Sequence, residues 1–302
     1  MDATVEPTSG RPGEANVAAL VEELSARLAG FRTVEDPARE ARALLAALLD
    51  VPLFWPSLNA ARSVEHQLRA RALRAAAMRG RGAPLAYCVG RAPFRHLTLD
   101  VDEQVLIPRP ETEQLVDVAM AVVGTQHGGV AVDIGTGSGA IALALASEAA
   151  FDRVIGTDVS LDALEVARRN AHQLRNVLRV PVELRHGSLL APVDDVRPRL
   201  VISNPPYVAS SEALALPSSV RDWEPPVALV SGRDGMRVTA PLVWQAAECL
   251  APGGVLALEV DSRRAGAVAN LTAADLRFID VSVKHDLAGR ERFVVARRKE
   301  DA

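Results

Sequence analysis

The stretch from Val130 to Ala140 constrains the fold of this chain more than any other part of its sequence. It begins with an apolar run, which predicts a buried strand, and continues into a helical pattern. Between the two lies a turn that contains Gly135, Gly137 and Gly139. Glycine lets the backbone approach a ligand closely, and the first turn of the following helix leaves N–H groups free. The stretch therefore predicts a strand–turn–helix unit that binds a nucleotide-like ligand.

Asp158 stands at the end of the next apolar run, Val154–Thr157. A carboxylate in that position can accept hydrogen bonds from both hydroxyls of a ribose. The pattern Gly135-x-Gly137-x-x-Ala140 also satisfies the dinucleotide-binding motif, with its tolerated final alanine. These residues are therefore compatible with a nicotinamide-dependent enzyme and with an S-adenosylmethionine-dependent enzyme.

The tetrapeptide Asn204-Pro205-Pro206-Tyr207 separates these two classes of enzyme. It follows the apolar run Leu200–Ser203, which predicts another buried strand. The asparagine side chain offers a carbonyl acceptor, the two prolines lack N–H donors, and the tyrosine ring offers a flat face. This combination suits the holding of an NH2 group in front of an electrophile. We therefore predict an amino-group methyltransferase in which Asn204, Pro205 and Tyr207 are catalytic and, together with Pro206, bind the substrate.

Composition and charge argue against several other classes of protein. With 302 residues, 49% of them hydrophobic, the chain can bury one large core and a small accessory domain. The net charge of −4 and the pI of about 5.9 argue against free nucleic acid as the main partner. Cys88, Cys249 and the six histidines show no metal-ligand spacing, so we expect reduced thiols and no metal. The chain has no apolar run of about 18 residues, and we expect a cytoplasmic protein without a membrane segment.

Four segments of the chain differ in composition and periodicity. Residues 1–14 are rich in Pro, Gly and Glu, and we expect a disordered tail. Residues 15–83 show helical periodicity and predict a small bundle, which we interpret as a substrate-docking domain. Residues 84–110 contain short alternating runs broken by Pro and Gly, which are typical of a β-hairpin linker. In residues 111–298 strands alternate with helices, and this segment is the predicted methyltransferase domain.

The helical segment carries two further signals. We expect its leucines, including Leu68 and Leu73, to form the core of the bundle. Between Arg62 and Arg95, eight arginines accompany only one acidic residue. Such a run is most often a solvated helix face, and the alternative is a docking surface for an acidic partner.

The predicted strands define a sheet that is mostly parallel. The last two apolar runs are separated only by a short loop, which leaves no room for a crossover helix and predicts an antiparallel hairpin. A parallel sheet closed by such a hairpin fits a methyltransferase better than a dinucleotide-binding fold. The predicted strands cover residues 130–134, 153–158, 182–186, 200–204, 254–260, 278–284 and 292–297.

Seven sequence blocks between residues 84 and 295 resemble, in the same order, those of the release factor glutamine methyltransferases. The most specific is the Pro-Arg-Pro-Glu-Thr-Glu block, since Asn-Pro-Pro-Tyr also occurs in adenine-N6 methyltransferases. The blocks are Tyr87-x-x-Gly90, Leu106–Glu113, Asp133–Leu143, Ser203–Tyr207, Glu224–Gly235, Leu250–Gly254 and Asp286–Arg292.

This resemblance implies both a fold and an activity. The fold is a Rossmann-like α/β class I S-adenosylmethionine-dependent methyltransferase, with a mostly parallel seven-stranded sheet, a C-terminal antiparallel hairpin and a small N-terminal helical bundle. The activity is methylation of the glutamine side-chain amide in the Gly-Gly-Gln loop of peptide chain release factors. We expect a monomer whose partners are these factors, without direct contact to nucleic acid. The implied cofactor-binding residues are Asp133, Gly135, Thr136, Gly137, Ser138, Gly139, Asp158, Ser188, Leu189 and Asn204.

Three positions allow more than one interpretation. Ser188 stands where the family usually has an acidic residue, so the adenine amino group is held either by its hydroxyl or by backbone. Arg109 either serves the cofactor carboxylate or pairs with Glu111 or Glu113. Asp133 either receives the cofactor ammonium group or braces the N–H groups of the glycine turn.

Two other functions stay open at this point. One is amino methylation of a nucleic-acid base, against which stand the acidic pI and the lack of a sizeable target-recognition domain. The other is a cofactor-binding regulator without catalysis, against which stands the intact set of Asn204, Pro205 and Tyr207.

Overall fold

The described residues up to Gly90 fold into helices joined by short connections. The computed structural model describes residues 16–125 and 127–300, and the chain divides into two units between Gly90 and Arg91. The predicted tail, residues 1–14, lies outside the described residues. The helices of the first unit are α1 (Val17–Leu28), α2 (Pro37–Leu49), α3 (Trp55–Leu58), α4 (His66–Gly80) and α5 (Leu85–Val89).

Side-chain caps begin the first two helices. The Asn16 side chain accepts a hydrogen bond from the Ala19 backbone N–H (2.8 Å), and Asp36 accepts one from the Arg39 N–H (2.9 Å). Pro37 occupies the start of α2, where a helix has no partner for a backbone N–H in any case. Local sequence therefore determines where both helices begin.

The bundle combines leucine faces on α1 and α2 with an alanine face on α4. Leu68 and Leu73 of α4 are only half-buried, and the helix instead buries Ala72, Ala75 and Ala76. The prediction that these two leucines form the core is therefore wrong. Small side chains allow neighbouring elements to approach the α4 backbone closely. At its end, a Cβ on Gly80 would lie 2.3 Å from the Phe31 ring.

The predicted hairpin linker, residues 84–110, contains two different structures. Leu85–Val89 is the short helix α5, which belongs to the first unit, so the prediction of strand there is wrong. Leucine and alanine, which occupy its first positions, are strong helix formers. The hairpin itself is made by antiparallel strands β1 (Arg91–Phe94) and β2 (Leu97–Asp100) and belongs to the second unit.

The second unit is built on a seven-stranded sheet that confirms the predicted fold class. Its strand order is β5-β4-β3-β6-β7-β9-β8, in which β3 to β7 are parallel and β9 is antiparallel to both of its neighbours. Because β4 lies on one side of β3 and β6 on the other, the chain reverses its direction of winding beside β3. Ligands bind at such a point, outside the carboxyl ends of the strands. The strands are β3 (Val130–Ile134), β4 (Arg153–Asp158), β5 (Val182–His186), β6 (Leu200–Ser203), β7 (Val255–Glu259), β8 (Phe278–His285) and β9 (Glu291–Arg298).

Helices cover both faces of this sheet and bury two hydrophobic clusters. Leu200 and Ile202 of β6 belong to one cluster and Val201 to the other, as the alternation of side chains along a strand requires. Helices α6 and α7 contribute to the first cluster, and α11 and α12 to the second. The helices of this unit are α6 (Pro110–Val123), α7 (Ala140–Glu148), α8 (Leu161–Gln173), α9 (Ser218–Arg221), α10 (Pro226–Leu229), α11 (Thr239–Cys249) and α12 (Ala265–Ala274).

None of the helices within the described ranges is long and apolar enough to span a lipid bilayer.

Candidate active site

The glycine turn after β3 adopts backbone angles that favour glycine. Gly135, Gly137 and Gly139 have φ values of 72°, 55° and 85°. The N–H groups of Gly135 and Thr136 donate to the Thr157 carbonyl oxygen, at 2.8 and 2.9 Å, which ties the turn to the end of β4. These hydrogen bonds fix the turn at the carboxyl edge of the sheet, beside the end of β4.

Asp158 connects the glycine turn to the next helix. One of its carboxylate oxygens accepts the Gly137 N–H (2.9 Å) and the other accepts the Ser160 N–H (2.9 Å). Burial raises the pKa of Asp158, and these N–H groups counteract that rise by favouring the charged form. Each oxygen keeps a lone pair, so the carboxylate can still accept a hydroxyl group. Ser160 caps α8 by accepting a hydrogen bond from the Ala163 N–H (3.2 Å).

Asp133 lies behind the turn and is fully buried. Its Oδ2 accepts the Thr136 hydroxyl (2.7 Å) and the Ala142 N–H (3.1 Å), so Asp133 joins the turn to the start of α7 through a hydroxyl and a helix N–H rather than through N–H groups of the turn. Its Oδ1 is buried and has no hydrogen-bond partner among the described residues. Burial raises the pKa of Asp133 to about 7. The Asp133 carboxyl group can therefore take up a proton and become uncharged near neutral pH.

A cavity of about 400 Å³ lies at the carboxyl ends of β3, β4 and β6. This volume falls within the range of small-molecule sites. Eight of the residues predicted for the site line it: Gly135, Gly137, Asp158, Ser188, Leu189, Asn204, Pro205 and Pro206. Five others are not part of the lining: Asp133, Thr136, Ser138, Gly139 and Tyr207.

Sequence reasoning missed much of the cavity wall. Leu106, Pro225 and Ala228 belong to blocks that resemble the family, but the residues themselves carry no chemical signal that predicts contact with a ligand. Their mostly apolar side chains suit the flat face of an adenine ring. The lining residues that were not predicted include Gln104, Val105, Leu106, Pro225, Val227, Ala228, Val230, Arg237, Val238 and Pro241.

The loop after β5 places Ser188 and Leu189 in this wall. Leu189 has a positive φ of 51°, and its carbonyl oxygen accepts the Thr157 hydroxyl (3.2 Å). A Cβ on Gly187 would lie 2.4 Å from Pro192, so only glycine fits before Ser188. The loop is thus shaped by local backbone constraints. Ser188 is exposed and lines the cavity, so its hydroxyl is available to a ligand.

Asn204 reaches the cavity from the end of β6, and a chain of two hydrogen bonds links its side-chain amide to α6 and β7. The Ser203 hydroxyl donates to the Ile134 carbonyl oxygen (2.7 Å), which joins the ends of β6 and β3. The Asn204 Nδ2 donates to the Thr112 hydroxyl (3.0 Å), which in turn donates to the Glu259 carboxylate (2.7 Å). The next residue in the loop, Pro205, is buried, while Pro206 and Tyr207 are half-buried.

Tyr207 lies beside this network. Burial, together with the nearby Glu259 carboxylate, raises the pKa of Tyr207 to about 12. The hydroxyl therefore stays protonated at physiological pH. This favours the ring, rather than a phenolate, as the useful part of the side chain.

Arg109 does not pair with either of the acidic residues predicted for it. Its Nη2 lies 2.5 Å from Oε1 of Glu224, whose side chain is only 1% exposed. Glu111 instead pairs with Arg290 (3.2 Å), and Glu113 accepts the Arg95 backbone N–H (2.9 Å). The predicted pairing with Glu111 or Glu113 is wrong. These two carboxylates are two residues apart on α6, so they point to different sides of the helix, and each meets another partner.

Within the described parts of the chain, no three His, Cys, Asp or Glu side chains are grouped as metal ligands. Cys88 is buried and Cys249 is half-buried, and both are free thiols. Burial raises the pKa of each to about 11, so neither is a reactive thiolate at neutral pH.

The strand order and the cavity beside its central strand define a class I S-adenosylmethionine-dependent methyltransferase. The family model described as Methyltransferase small domain matches residues 112–216. A methyltransferase structure from Pyrococcus furiosus covers 78% of this chain and 100% of its own, with a TM-score of 0.52 at 20% identity. That similarity supports the fold.

Sequence relatives show which group of methyltransferases this is. The release factor glutamine methyltransferase of Gloeobacter violaceus is 43% identical over 212 residues, which make up 70% of this chain and 73% of the relative. That of Mycolicibacterium smegmatis is 41% identical over 249 residues, or 80% of this chain and 82% of the relative. The chain belongs to the release factor glutamine methyltransferase family.

Proposed function

We propose that this protein methylates the side-chain amide nitrogen of the glutamine in the Gly-Gly-Gln loop of peptide chain release factors. The observation that carries the proposal is the placement of Asn204 and Pro205 in the wall of the cofactor cavity, at the end of β6. Asn204 offers its side-chain carbonyl to an incoming amide, and Pro205 offers its backbone carbonyl. Two such acceptors match the two N–H groups of a glutamine side chain.

The residues around the cavity fit S-adenosylmethionine. Asp158 lies at the strand end with lone pairs free for the ribose hydroxyls. The glycine turn leaves room for close approach, since a Cβ on Gly135 would meet no atom within 4 Å. Val105, Leu106 and Leu189 provide apolar surface for the adenine, with the Ser188 hydroxyl as a candidate for its amino group.

When bound, S-adenosylmethionine would supply an electrophilic methyl group on sulfur, so that the new nitrogen–carbon bond would form as the methyl–sulfur bond breaks and its electron pair goes to sulfur. The nitrogen loses one proton to water, which leaves a neutral N-methyl amide. An amide nitrogen is a weak nucleophile, so the protein contributes mainly alignment and charge stabilisation. Asn204 and Pro205 hold the two N–H bonds and stabilise the positive charge that develops on nitrogen. Tyr207 offers its ring as a face for the planar amide.

We also propose how the rest of the molecule serves this reaction. The helical segment 15–83 docks the body of the release factor, and the exposed Arg71 and Arg74 of α4 are the candidates for contact with acidic surface. The protein acts as a cytoplasmic monomer and does not contact nucleic acid directly. Its acidic pI of about 5.9 supports a protein rather than a nucleic-acid substrate.

The test is methyl transfer from radiolabelled cofactor to three substrates in parallel. These are an intact release factor, the same factor with the loop glutamine replaced by alanine, and a set of DNA and RNA oligonucleotides. We expect label only on the first, with mass spectrometry placing one methyl group on the glutamine. Label on the oligonucleotides and none on the factor would mean that the protein is a base methyltransferase. Cofactor binding without transfer to any substrate would support a regulator.

A further inference from the structure

Two buried side chains stand behind Asn204 and have no role in the mechanism described so far. Thr112 lies in the first turn of α6 and is 5% exposed, and Glu259 ends β7 and is 2% exposed. Neither lines the cofactor cavity. They connect to Asn204 in a chain of two hydrogen bonds, Asn204 Nδ2 to Thr112 Oγ1 (3.0 Å) and Thr112 Oγ1 to Glu259 Oε2 (2.7 Å).

The chemistry of these groups gives the chain a direction. An ionised carboxylate only accepts hydrogen bonds, so the single hydroxyl proton of Thr112 points to Glu259. The Thr112 oxygen can then only accept from Asn204, and the partner that can donate is the amide Nδ2. The side-chain carbonyl of Asn204 is consequently turned away from Thr112.

From this geometry we propose that Thr112 and Glu259 are positioning residues that hold the Asn204 amide with its carbonyl toward the substrate. The proposal rests on the function proposed above. An asparagine amide has nearly the same shape in its two flipped orientations, so packing alone cannot choose between them. The flipped orientation would present two N–H donors to the N–H groups of the substrate amide. A fixed orientation therefore decides whether Asn204 binds or repels the glutamine side chain.

The charge state of Glu259 controls this direction. Burial raises the pKa of the Glu259 carboxyl to about 7, and the Thr112 hydroxyl and Arg292 oppose that rise. Of the other groups that face Glu259, Glu111 acts in the same direction as burial and Arg109 opposes it, and Tyr207 lies close enough to interact with the carboxylate. A protonated Glu259 can donate to Thr112, which reverses the chain and releases the amide to flip. The competent form is the ionised one, so activity should rise as the pH increases through about 7.

The first experiment compares two substitutions of Thr112 in single-turnover methyl transfer to an intact release factor, with saturating cofactor at pH 8. Thr112→Val keeps the shape and removes the hydroxyl, and we expect the transfer rate to fall about tenfold with cofactor Kd unchanged. Thr112→Ser keeps the hydroxyl and should retain most of the rate. Thr272→Val is the matched control, because this buried hydroxyl donates within α12 to the Val268 carbonyl oxygen (2.8 Å). It should transfer methyl at the wild-type rate.

The second experiment measures the same rate between pH 6 and 8.5 for the wild type and for Glu259→Gln, which cannot ionise. We expect the wild-type rate to rise through about pH 7 and the variant to show no such rise. A wild-type rate in Thr112→Val, equal losses in the valine and serine variants, or an unchanged pH profile in Glu259→Gln would each overturn the proposal. The wild-type reaction distinguishes a failure of the proposed function from a failure of the positioning role alone. A wild type that does not label the loop glutamine refutes the proposed function, whereas an active wild type with any of these outcomes refutes only the positioning role.

Discussion

At the scale of single residues, the polar side chains of this site hold the protein together as well as facing a ligand. The Asp158 carboxylate accepts two backbone N–H groups, and the Asn204 amide is anchored through its nitrogen. In each case some polar atoms or lone pairs of the side chain bind other parts of the protein, and the others can still bind a ligand. A side chain anchored in this way loses less conformational freedom when the ligand arrives, because it is already oriented.

Asn204→Ala tests the amide clamp. The substitution removes the side-chain acceptor and leaves the Pro205 carbonyl in place, so orientation and charge stabilisation are lost together. Groups that stabilise developing charge are typically worth about 100- to 1,000-fold in rate, and we expect kcat to fall by that order. The measurement is single-turnover transfer with saturating cofactor and release factor. Near-normal turnover in a folded Asn204→Ala protein would show that the clamp is not the source of the rate.

Asp158→Ala tests the cofactor assignment. Losing hydrogen bonds to a charged acceptor should weaken cofactor binding by at least about 1–2 kcal/mol. Isothermal calorimetry with S-adenosylhomocysteine measures this directly. Asp162→Ala is a suitable control, since Asp162 is an exposed residue in the first turn of α8 and does not line the cavity. Equal affinity in the wild type and in Asp158→Ala would remove the ribose role.

At the scale of elements, the start of α6 organises the site. Pro110 occupies the first turn together with Glu111 and Glu113, where a proline is tolerated and acidic side chains are favoured by the helix dipole. The polar residues of this turn then reach different elements: Arg109 pairs with Glu224, Glu111 with Arg290, Thr112 with Glu259, and Glu113 with the Arg95 backbone. The Pro-Arg-Pro-Glu-Thr-Glu block is therefore the start of a helix whose side chains bind several separate parts of the second unit, Asn204 among them.

Arg109→Met tests how much one of these ties contributes to stability. It leaves the carboxylate of Glu224, 1% exposed, without its cation, and removal of one partner of a buried pair costs about 3 kcal/mol. Burial already raises the pKa of Glu224, so the loss should shrink at lower pH, where the carboxyl can take up a proton. Denaturant unfolding at pH 5.5 and pH 8 measures both effects.

Two variants complete this experiment. Arg109→Met with Glu224→Gln removes the unpaired charge and should recover part of the lost stability. Arg168→Met breaks an exposed ion pair within α8, whose partners are 44% and 62% exposed, and should change stability by less than about 1 kcal/mol. If all three variants unfold at the same denaturant concentration as the wild type, the Arg109–Glu224 pair makes no contribution of this kind.

At the scale of the whole molecule, the chain consists of a helical unit and a catalytic unit. The arginines of the helical unit differ in whether a carboxylate of the same unit already binds them. Arg69 is bound by both oxygens of Glu23, at 2.7 and 2.9 Å, and Arg79 pairs with Glu40 at 2.7 Å. These two arginines support the bundle. The docking hypothesis for the arginine-rich segment is therefore narrowed to the exposed Arg71 and Arg74 of α4.

Reversal of these charges tests docking. Arg71→Glu with Arg74→Glu should raise the apparent KM for an intact release factor roughly three- to tenfold, because charges at the rim of an interface act mainly on association. The KM for a short Gly-Gly-Gln peptide should change little. Arg32→Glu with Arg39→Glu changes the net charge of the same unit by the same amount at two other exposed positions. Equal effects of the two pairs, or equal effects on both substrates, would mean that these arginines are ordinary solvated side chains.

The sequence by itself determined the elements and the loops between them. All seven strands of the large sheet were predicted within two residues of their observed ends, because apolar runs and turn residues act locally. The glycine turn, the Ser160 cap and Asp158 at a strand end follow from constraints within a few residues of each position. The Asn-Pro-Pro-Tyr loop was recognisable for the same reason, since its chemistry is contained in four consecutive residues.

Only the tertiary structure decided which side chains meet. Thr112 contacts Asn204 and Glu259, which lie 92 and 147 residues away in the chain, and Arg109 selects Glu224 at a separation of 115 rather than a carboxylate of its own helix. The apolar residues of the cavity wall likewise come from several separate loops, whose sequences have no motif in common. Such contacts depend on how the sheet brings the ends of β3, β6 and β7 together, and no local property of either partner encodes them. The sequence therefore specified the acceptor at Asn204, and the packing of α6 against β7 specified the direction in which its amide is held.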